Sequence, residues 1–451
     1  MVNSSGATGV PLSKGESRVL FTGGALLAVI GLVVTIITLL LVKGLSGFWP
    51  SPLWRVTTKD GATLIGMKWR DEEIPRSAED RAAGSSVRHR TLYRVGPPRD
   101  LGTDFVWVDD DAVVEETRPD DATLVERTEW GTAIGIVKDG APDVLQLANG
   151  KEIALDPAVV VRRVQPNRLS VFGRLGVWCS RALEFVSTSP RESNTEGGIW
   201  PAIMGTVLLV LLMTIAVVPL GVVAALYLNE YARQGALLRF VRLAVSNLAG
   251  VPSIVFGMFG LAFFVYTVGA GIDRTMFADR LPSPTFGTGG LLWAALTLAL
   301  LTVPVVIVAT EEALRAVPRA QRDGSLALGA TRWQTIRTVV LPAALPGILT
   351  GMILAIARGA GEVAPLMLTG VMKLASDPLV DASAPFVHFD RKFMHMGFHL
   401  FDVGFQSPNV EASRPLVYAT ALLLLLLIVA LNLTAIVYRN RVRRRLSGAA
   451  F

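Results

Sequence analysis

The chain has 451 residues, 51% hydrophobic and only 18% charged, with a mean hydropathy of +0.48, which excludes an ordinary soluble globular protein. Its formal charge of +6 is unevenly placed: residues 53–166 hold 16 Lys and Arg against 21 Asp and Glu, net −5, which leaves +11 for the rest. No basic stripe with aromatic or helical readers is present, which excludes nucleic-acid binding. The single cysteine, Cys179, excludes an internal disulfide or a zinc cluster.

In chain order, six charge-free apolar runs appear, bounded by Arg18 and Lys43, Glu196 and Glu230, Arg242 and Asp273, Arg280 and Glu311, Arg337 and Arg358, and Arg414 and Arg439. Each approaches or exceeds the roughly 20 residues a helix needs to cross hydrocarbon. The first run, residues 19–43, follows a tail, 1–18, and lacks a small-residue cleavage site, so it is expected to stay as an anchor. Arg and Lys flank alternate connections: Lys14 and Arg18, then Arg233, Arg239 and Arg242, then Arg315 to Arg337, and finally the tail 439–451. The positive-inside rule then puts both termini in the cytoplasm.

Residues 53–166 break this pattern. Short β-rich runs (TLIGMKW, TLYRV, DFVWV, TAIGIV) alternate with Lys59-Asp60-Gly61, Gly96-Pro97-Pro98, Lys138-Asp139-Gly140 and Ala148-Asn149-Gly150, so a small extracytoplasmic β barrel or sandwich is expected. Its acidic run Asp109-Asp110-Asp111, with Glu115 and Glu116, lacks the glycine and terminal glutamate of a calcium loop and reads as a solvated face. Residues 168–187 space their apolar side chains helically around Arg174, Arg181 and Glu184, as an amphipathic helix in the membrane interface does. A seventh span there is the rival, and the two arginines oppose it.

The segment 311–346, between the fourth and fifth runs, is charge-dense and reads as two short amphipathic helices hinged near Gly329. Within it, Asp323-Gly324-Ser325, three residues, Gly329, nine residues and Val339-Val340-Leu341-Pro342 resemble the E-A-A-x3-G-x9-I-x-L-P signature of ABC importer permeases. Asp stands for Glu, Gly-Ser for the two alanines and Val for Ile. The resemblance implies that this loop docks on a nucleotide-binding subunit through Asp323, Gly324, Ser325, Leu326, Gly329, Ala330, Trp333, Leu341 and Pro342, with Leu326 and Ala330 on one helical face and Trp333 and Ile336 on another. A surface hairpin without a partner is the plain alternative.

Further stretches narrow the family: Ala202-Ile203-Met204-Gly205-Thr206, Pro219 to Ala232, Asn247 to Gly257, and Arg358 to Leu366. Together they resemble the PstA-type permease subunit of the phosphate ABC importer, over the first run and nearly all of 197–438. The β-rich insert is not explained by the resemblance. The implied fold is an α-helical polytopic membrane protein, six transmembrane helices of the type I, MetI-like ABC importer permease, with the β-rich insert between helices 1 and 2 and the permease domain at 197–438. The implied location is the bacterial inner membrane.

Arg358 closes the fifth run and Glu362 follows it; both are expected within the fifth span, where a charge costs about 2.5–3.5 kcal/mol on insertion scales and needs a partner or water. Four apart, they are expected one helical turn from each other. Arg358 then offers forked donors to a phosphate oxygen while Glu362 holds the guanidinium, or the two form a structural ion pair. In the loop 373–414, His395 and His399 have metal-like spacing near Asp402, but the interleaved phenylalanines read instead as an interfacial surface. No metal is expected.

Neither G-x-x-x-x-G-K-[ST], G-x-S-x-G nor H-E-x-x-H occurs. The chain is therefore expected to be no enzyme and to bind no cofactor, with ATP and Mg used by a partner ATPase. The resemblance implies a PstC-type permease subunit, a PstB-type ATPase dimer, a PstS-type phosphate-binding protein, membrane lipid and regulatory contact with a phosphate-sensing histidine kinase system as partners. Permeation of molybdate, tungstate or sulfate, or a non-transporting scaffold or sensor presenting the insert, are the alternatives.

Overall fold

A computed structural model describes residues 14–74, 88–96, 98–138, 140–375 and 377–448; residues 1–13, 75–87 and 449–451, with Pro97, Asp139 and Ser376, lie outside the described residues. Among the described residues, six helices are long and apolar enough to cross a membrane. They are carried by α1 (Lys14–Ser46), α3 (Trp200–Tyr231), α5 (Ser253–Met276), α6 (Leu291–Arg315), α8 (Arg332–Gly359) and α11 (Val410–Gly448). Between them lie α2 (Val171–Ser187), α4 (Ala236–Leu248), α7 (Arg319–Ala327), α9 (Ala364–Thr369) and α10 (Met396–Phe401).

The helix bundle is organised around α6. Two thirds of its apolar window is buried (67%), against none of the window in α1, so α6 is the packed centre and α1 a peripheral, lipid-type helix, apolar on all faces. Leu298, Ala299 and Val306 of α6 pack with Leu209, Met213 and Val217 of α3 and with Ala355 and Ile356 of α8. Small residues permit the approach. A Cβ at Gly351 of α8 would stand 2.7 Å from the Ala309 methyl of α6, and Gly347, one turn earlier, meets Ala313 in the same way.

Among the described residues, the insert is two antiparallel sheets. One has the order β4-β3-β2-β1-β5, from Phe105–Asp109, Arg88–Arg94, Thr63–Ile74, Leu53–Thr58 and Val113–Thr117. The other has the order β10-β6-β7-β8-β9, from Val160–Val164, Ala122–Arg127, Ala133–Lys138, Ala141–Gln146 and Glu152–Ala154. Leu53 and Ile65 of the first sheet share a core with Ala122, Leu124 and Ile134 of the second. All five residues of the acidic run, Asp109, Asp110, Asp111, Glu115 and Glu116, are exposed, and two of them also bond within the module: Glu116 pairs with Lys68 at 2.6 Å and accepts from the Tyr93 hydroxyl at 3.0 Å, and Asp110 accepts from Thr91 at 3.2 Å.

The module is tied to the helices by polar bonds. Arg94 of β3 meets Glu196 at 2.7 Å, Arg70 of β2 meets Glu411 of α11 at 3.2 Å, and Asn409 donates to Asp104. Helix α2 lies under the module: Ser170 caps it, the Trp178 indole donates to the Leu45 carbonyl at 2.8 Å, and Arg181 pairs with Glu126 at 2.7 Å. Phe172 and Leu183, on the face opposite Arg181, are exposed.

Candidate functional site: the 311–346 hairpin and the Arg358 break

The 311–346 hairpin differs from the sequence expectation first in its second arm. Its first arm is the short helix α7, and Gly329 turns the chain at φ +85°, a conformation that suits glycine. The second arm is not a separate short helix. Thr331 caps it with a reciprocal capping box to Gln334, and α8 then runs unbroken from Arg332 to Gly359. A π turn over Ile336–Val340 precedes Leu341-Pro342. The wider turn accommodates the proline, which has no N–H to give the ladder.

On the hairpin surface Leu326 and Trp333 are about half exposed and Leu328 is 91% exposed, while Asp323 and Gly324 face solvent. Ser325 and Thr335 hydroxyls lie 2.9 Å apart and pin the two arms together. Ile336, expected to share the outer face with Trp333, is buried: the capped helix turns it toward the bundle. Leu328 was missed because it follows the helical face and only the turn at Gly329 leaves it projecting.

Clamps not read from the sequence hold the hairpin. Arg322 of α7 donates to Glu230 of α3 at 2.6 Å and to the Leu314 carbonyl at 2.5 Å, and Arg332 donates to the Glu230 carbonyl. Arg242 of α4 and Arg315 share Glu311 at 3.2 and 2.9 Å. The signal was available: Glu230 and Glu311 close two apolar runs, where a largely buried carboxylate needs a cation. In the sequence alone these arginines mark topology.

At the far end of α8, Arg358 occupies the last helical turn and Glu362 lies beyond it, in the non-helical break before α9. The helical i, i+4 geometry expected for the pair is therefore not formed. The helix stops at Gly359, whose α-carbon faces Met213, and Val363-Ala364-Pro365 reopens the chain in a new direction. Arg358 Nε and Glu362 Oε1 stand 3.7 Å apart, with side chains 34% and 21% exposed, an ion pair without a close hydrogen bond. The arginine thus keeps donors to spare.

The 373–414 loop departs further from expectation. His395 and His399, assigned to an interfacial surface, are buried at 0% and 2% exposure, as are Phe393 and Met396. Helix α10 is only six residues and packs inward. Asp402 is held by Lys373 at 3.3 Å and Asn194 at 3.1 Å. Burial holds both imidazoles down, to about 4, with Asp402 opposing this at His399.

The profile of a family described as "binding-protein-dependent transport system inner membrane component" matches residues 217–447, just over half of the chain. Similar curated proteins include the phosphate transport system permease protein PstA of Mycobacterium leprae, 35% identical over 257 residues, 56% of this chain and 74% of the relative. PstA of Yersinia pestis is 39% identical over 188 residues, 42% of this chain and 57% of its own length. A probable ABC transporter permease protein of Bacillus subtilis, YqgI, is 34% identical over 188 residues, 42% of this chain and 58% of its own. The chain thus spans less than two thirds of two of these three relatives. Among solved structures, the inward-facing MetNI methionine ABC transporter is 20% identical with a TM-score of 0.36, over 55% of this chain and 96% of that one, too loose a likeness to carry an argument.

Proposed function

The chain belongs to the binding-protein-dependent transport system inner membrane components, a family of multi-pass membrane permeases, and on that premise we propose that it is the PstA-type half of an ATP-driven inorganic phosphate importer. One observation carries the proposal. A single 28-residue helix, Arg332–Gly359, begins at the exposed hairpin and ends at a guanidinium with unspent donors, a rigid lever of roughly 40 Å at 1.5 Å per residue.

The hairpin faces the cytoplasm, with both termini, and its Leu326, Leu328 and Trp333 surface seats on a PstB-type ATPase dimer that uses ATP and Mg. The Arg322–Glu230 and Arg242–Glu311 clamps pass the displacement of the hairpin to α3 and α6. Closure of the ATPase then rocks α8 and moves Arg358 between alternating-access states. A PstC-type subunit completes the pathway, and a PstS-type binding protein delivers phosphate on the side of the β-module, outside the cell. Arg358 supplies forked donors to phosphate oxygens, and Glu362, held only loosely, releases the guanidinium when the anion arrives.

The experiment is uptake of labelled phosphate by vesicles reconstituted with the complex, with and without its ATPase and with competing molybdate, tungstate and sulfate. ATP-dependent uptake that only phosphate competes is expected. Uptake competed best by another oxyanion would reassign the substrate, and none under any condition would favour a scaffold.

A further inference from the structure

Where β2, β3 and β6 meet the end of α1, helix α2 and the start of α11 there is a cavity of about 490 Å³. One part of its wall is apolar, from Phe48, Trp49, Phe185, Leu416 and Tyr418, and another is cationic, from Lys43, Arg70, Arg94, Arg181, Arg191 and Arg414.

Many of these cations are paired, but the carboxylates are too few. Glu126 serves Arg162 and Arg181, each at 2.7 Å. Glu184 serves Arg162 at 2.9 Å and Arg191 at 2.6 Å, and Glu411 serves Arg70 at 3.2 Å and Arg414 at 3.1 Å. Five arginines therefore share three carboxylates, Arg94 alone has Glu196 to itself, and Lys43 lines the same space. Among the described residues the buried Nε atoms of Arg70, Arg94 and Arg191 have no acceptor, and Glu184 Oε1 and Glu411 Oε2 of the ion pairs accept no hydrogen bond, so the groups do not satisfy one another. Excess positive charge with idle donors, partly withdrawn from water, is costly unless an anion completes it.

We propose that this cavity binds a phosphoryl oxyanion. Arginines converging from a sheet, a helix and a loop suit a group with several oxygens around one centre, because each planar fork takes a different pair of oxygens. Two sources share that chemistry. The cavity lies at the ends of α1 and α11, the level of lipid headgroups, and its apolar wall accommodates the glycerol end of an anionic phospholipid; free inorganic phosphate brings the same oxygens. The site is remote in sequence from the Arg358 break, and its failure leaves the import proposal standing.

The test uses the full-length chain in phosphatidylcholine nanodiscs, with or without phosphatidylglycerol. Native mass spectrometry counts retained phosphatidylglycerol, and calorimetry follows inorganic phosphate. A lipid site retains phosphatidylglycerol over phosphatidylcholine, with retention reduced roughly tenfold in Arg94→Lys, which keeps the charge opposite Glu196 but loses the fork, and in the rim variant Arg414→Gln. A free-phosphate site shows calorimetric binding that survives Arg358→Gln and weakens to the same degree in Arg94→Lys. No lipid preference together with no phosphate binding in the unaltered chain, or binding that neither cavity variant changes, overturns the proposal.

Discussion

Arg358 shows how far residue type alone carries an argument. A charge closing an apolar run within a span is conspicuous, and its spacing from Glu362 announces a pair; that the helix stops between them, leaving the pair loose at 3.7 Å, is a matter of where Gly359 meets α3. Arg358→Gln is expected to reduce phosphate uptake by roughly 10- to 100-fold, the equivalent of about 1.5–3 kcal/mol for a hydrogen bond to a charged group, while the subunits still co-purify. Unchanged uptake would remove Arg358 from the pathway. His395 and His399 support a pH prediction. Folding lowers both values to about 4 from an ordinary 6.5, so the unfolded chain takes up protons first on acidification. Their contribution to stability is complete above pH about 6.5 and is lost as pH falls from there through about 4. The melting temperature should drop across that window, and the drop should shrink in His399→Gln; a slope identical in the variant would exclude this residue as its source.

At the scale of elements, the hairpin was legible from Gly329 and the Leu341-Pro342 step, whereas the fusion of its second arm with the fifth span was not. A proline two residues into a helix ordinarily marks a start, and only the π turn at Ile336–Val340 lets the helix run through it. The fusion makes a distinct prediction. Leu328→Asp, on an exposed side chain, should leave assembly of the bundle intact but remove most transport-coupled ATP hydrolysis in the reconstituted complex; full stimulation would place the ATPase contact elsewhere. Gly351→Leu acts differently, because the added side chain would collide with Ala309 between α6 and α8. Overpacking of this kind costs about 1–3 kcal/mol, and a lowered melting temperature in detergent is the expected readout.

For the whole molecule the decisive question is which way the bundle faces. Cys179 is its single cysteine, so a Cys179→Ser background leaves room for one introduced thiol at a time. A membrane-impermeant maleimide should label a cysteine at exposed Lys151 of the β-module in intact cells, while a cysteine introduced at Leu328 should react only after the cells are opened. The reverse pattern would invert the proposed topology. Composition and periodicity by themselves determined that the protein lies in a membrane, how many helices are apolar enough to span it, that a β-rich segment interrupts them and where the hairpin turns, since hydropathy, turn residues and glycine are local properties of the chain. Tertiary structure alone decided that α6 is the centre, that two histidines are core, that Glu230 and Glu311 clamp the hairpin and that arginines from the insert, α2 and α11 face one cavity. Those outcomes depend on which distant side chains share a volume and on how few carboxylates are there to neutralise them, and no window of sequence contains that information.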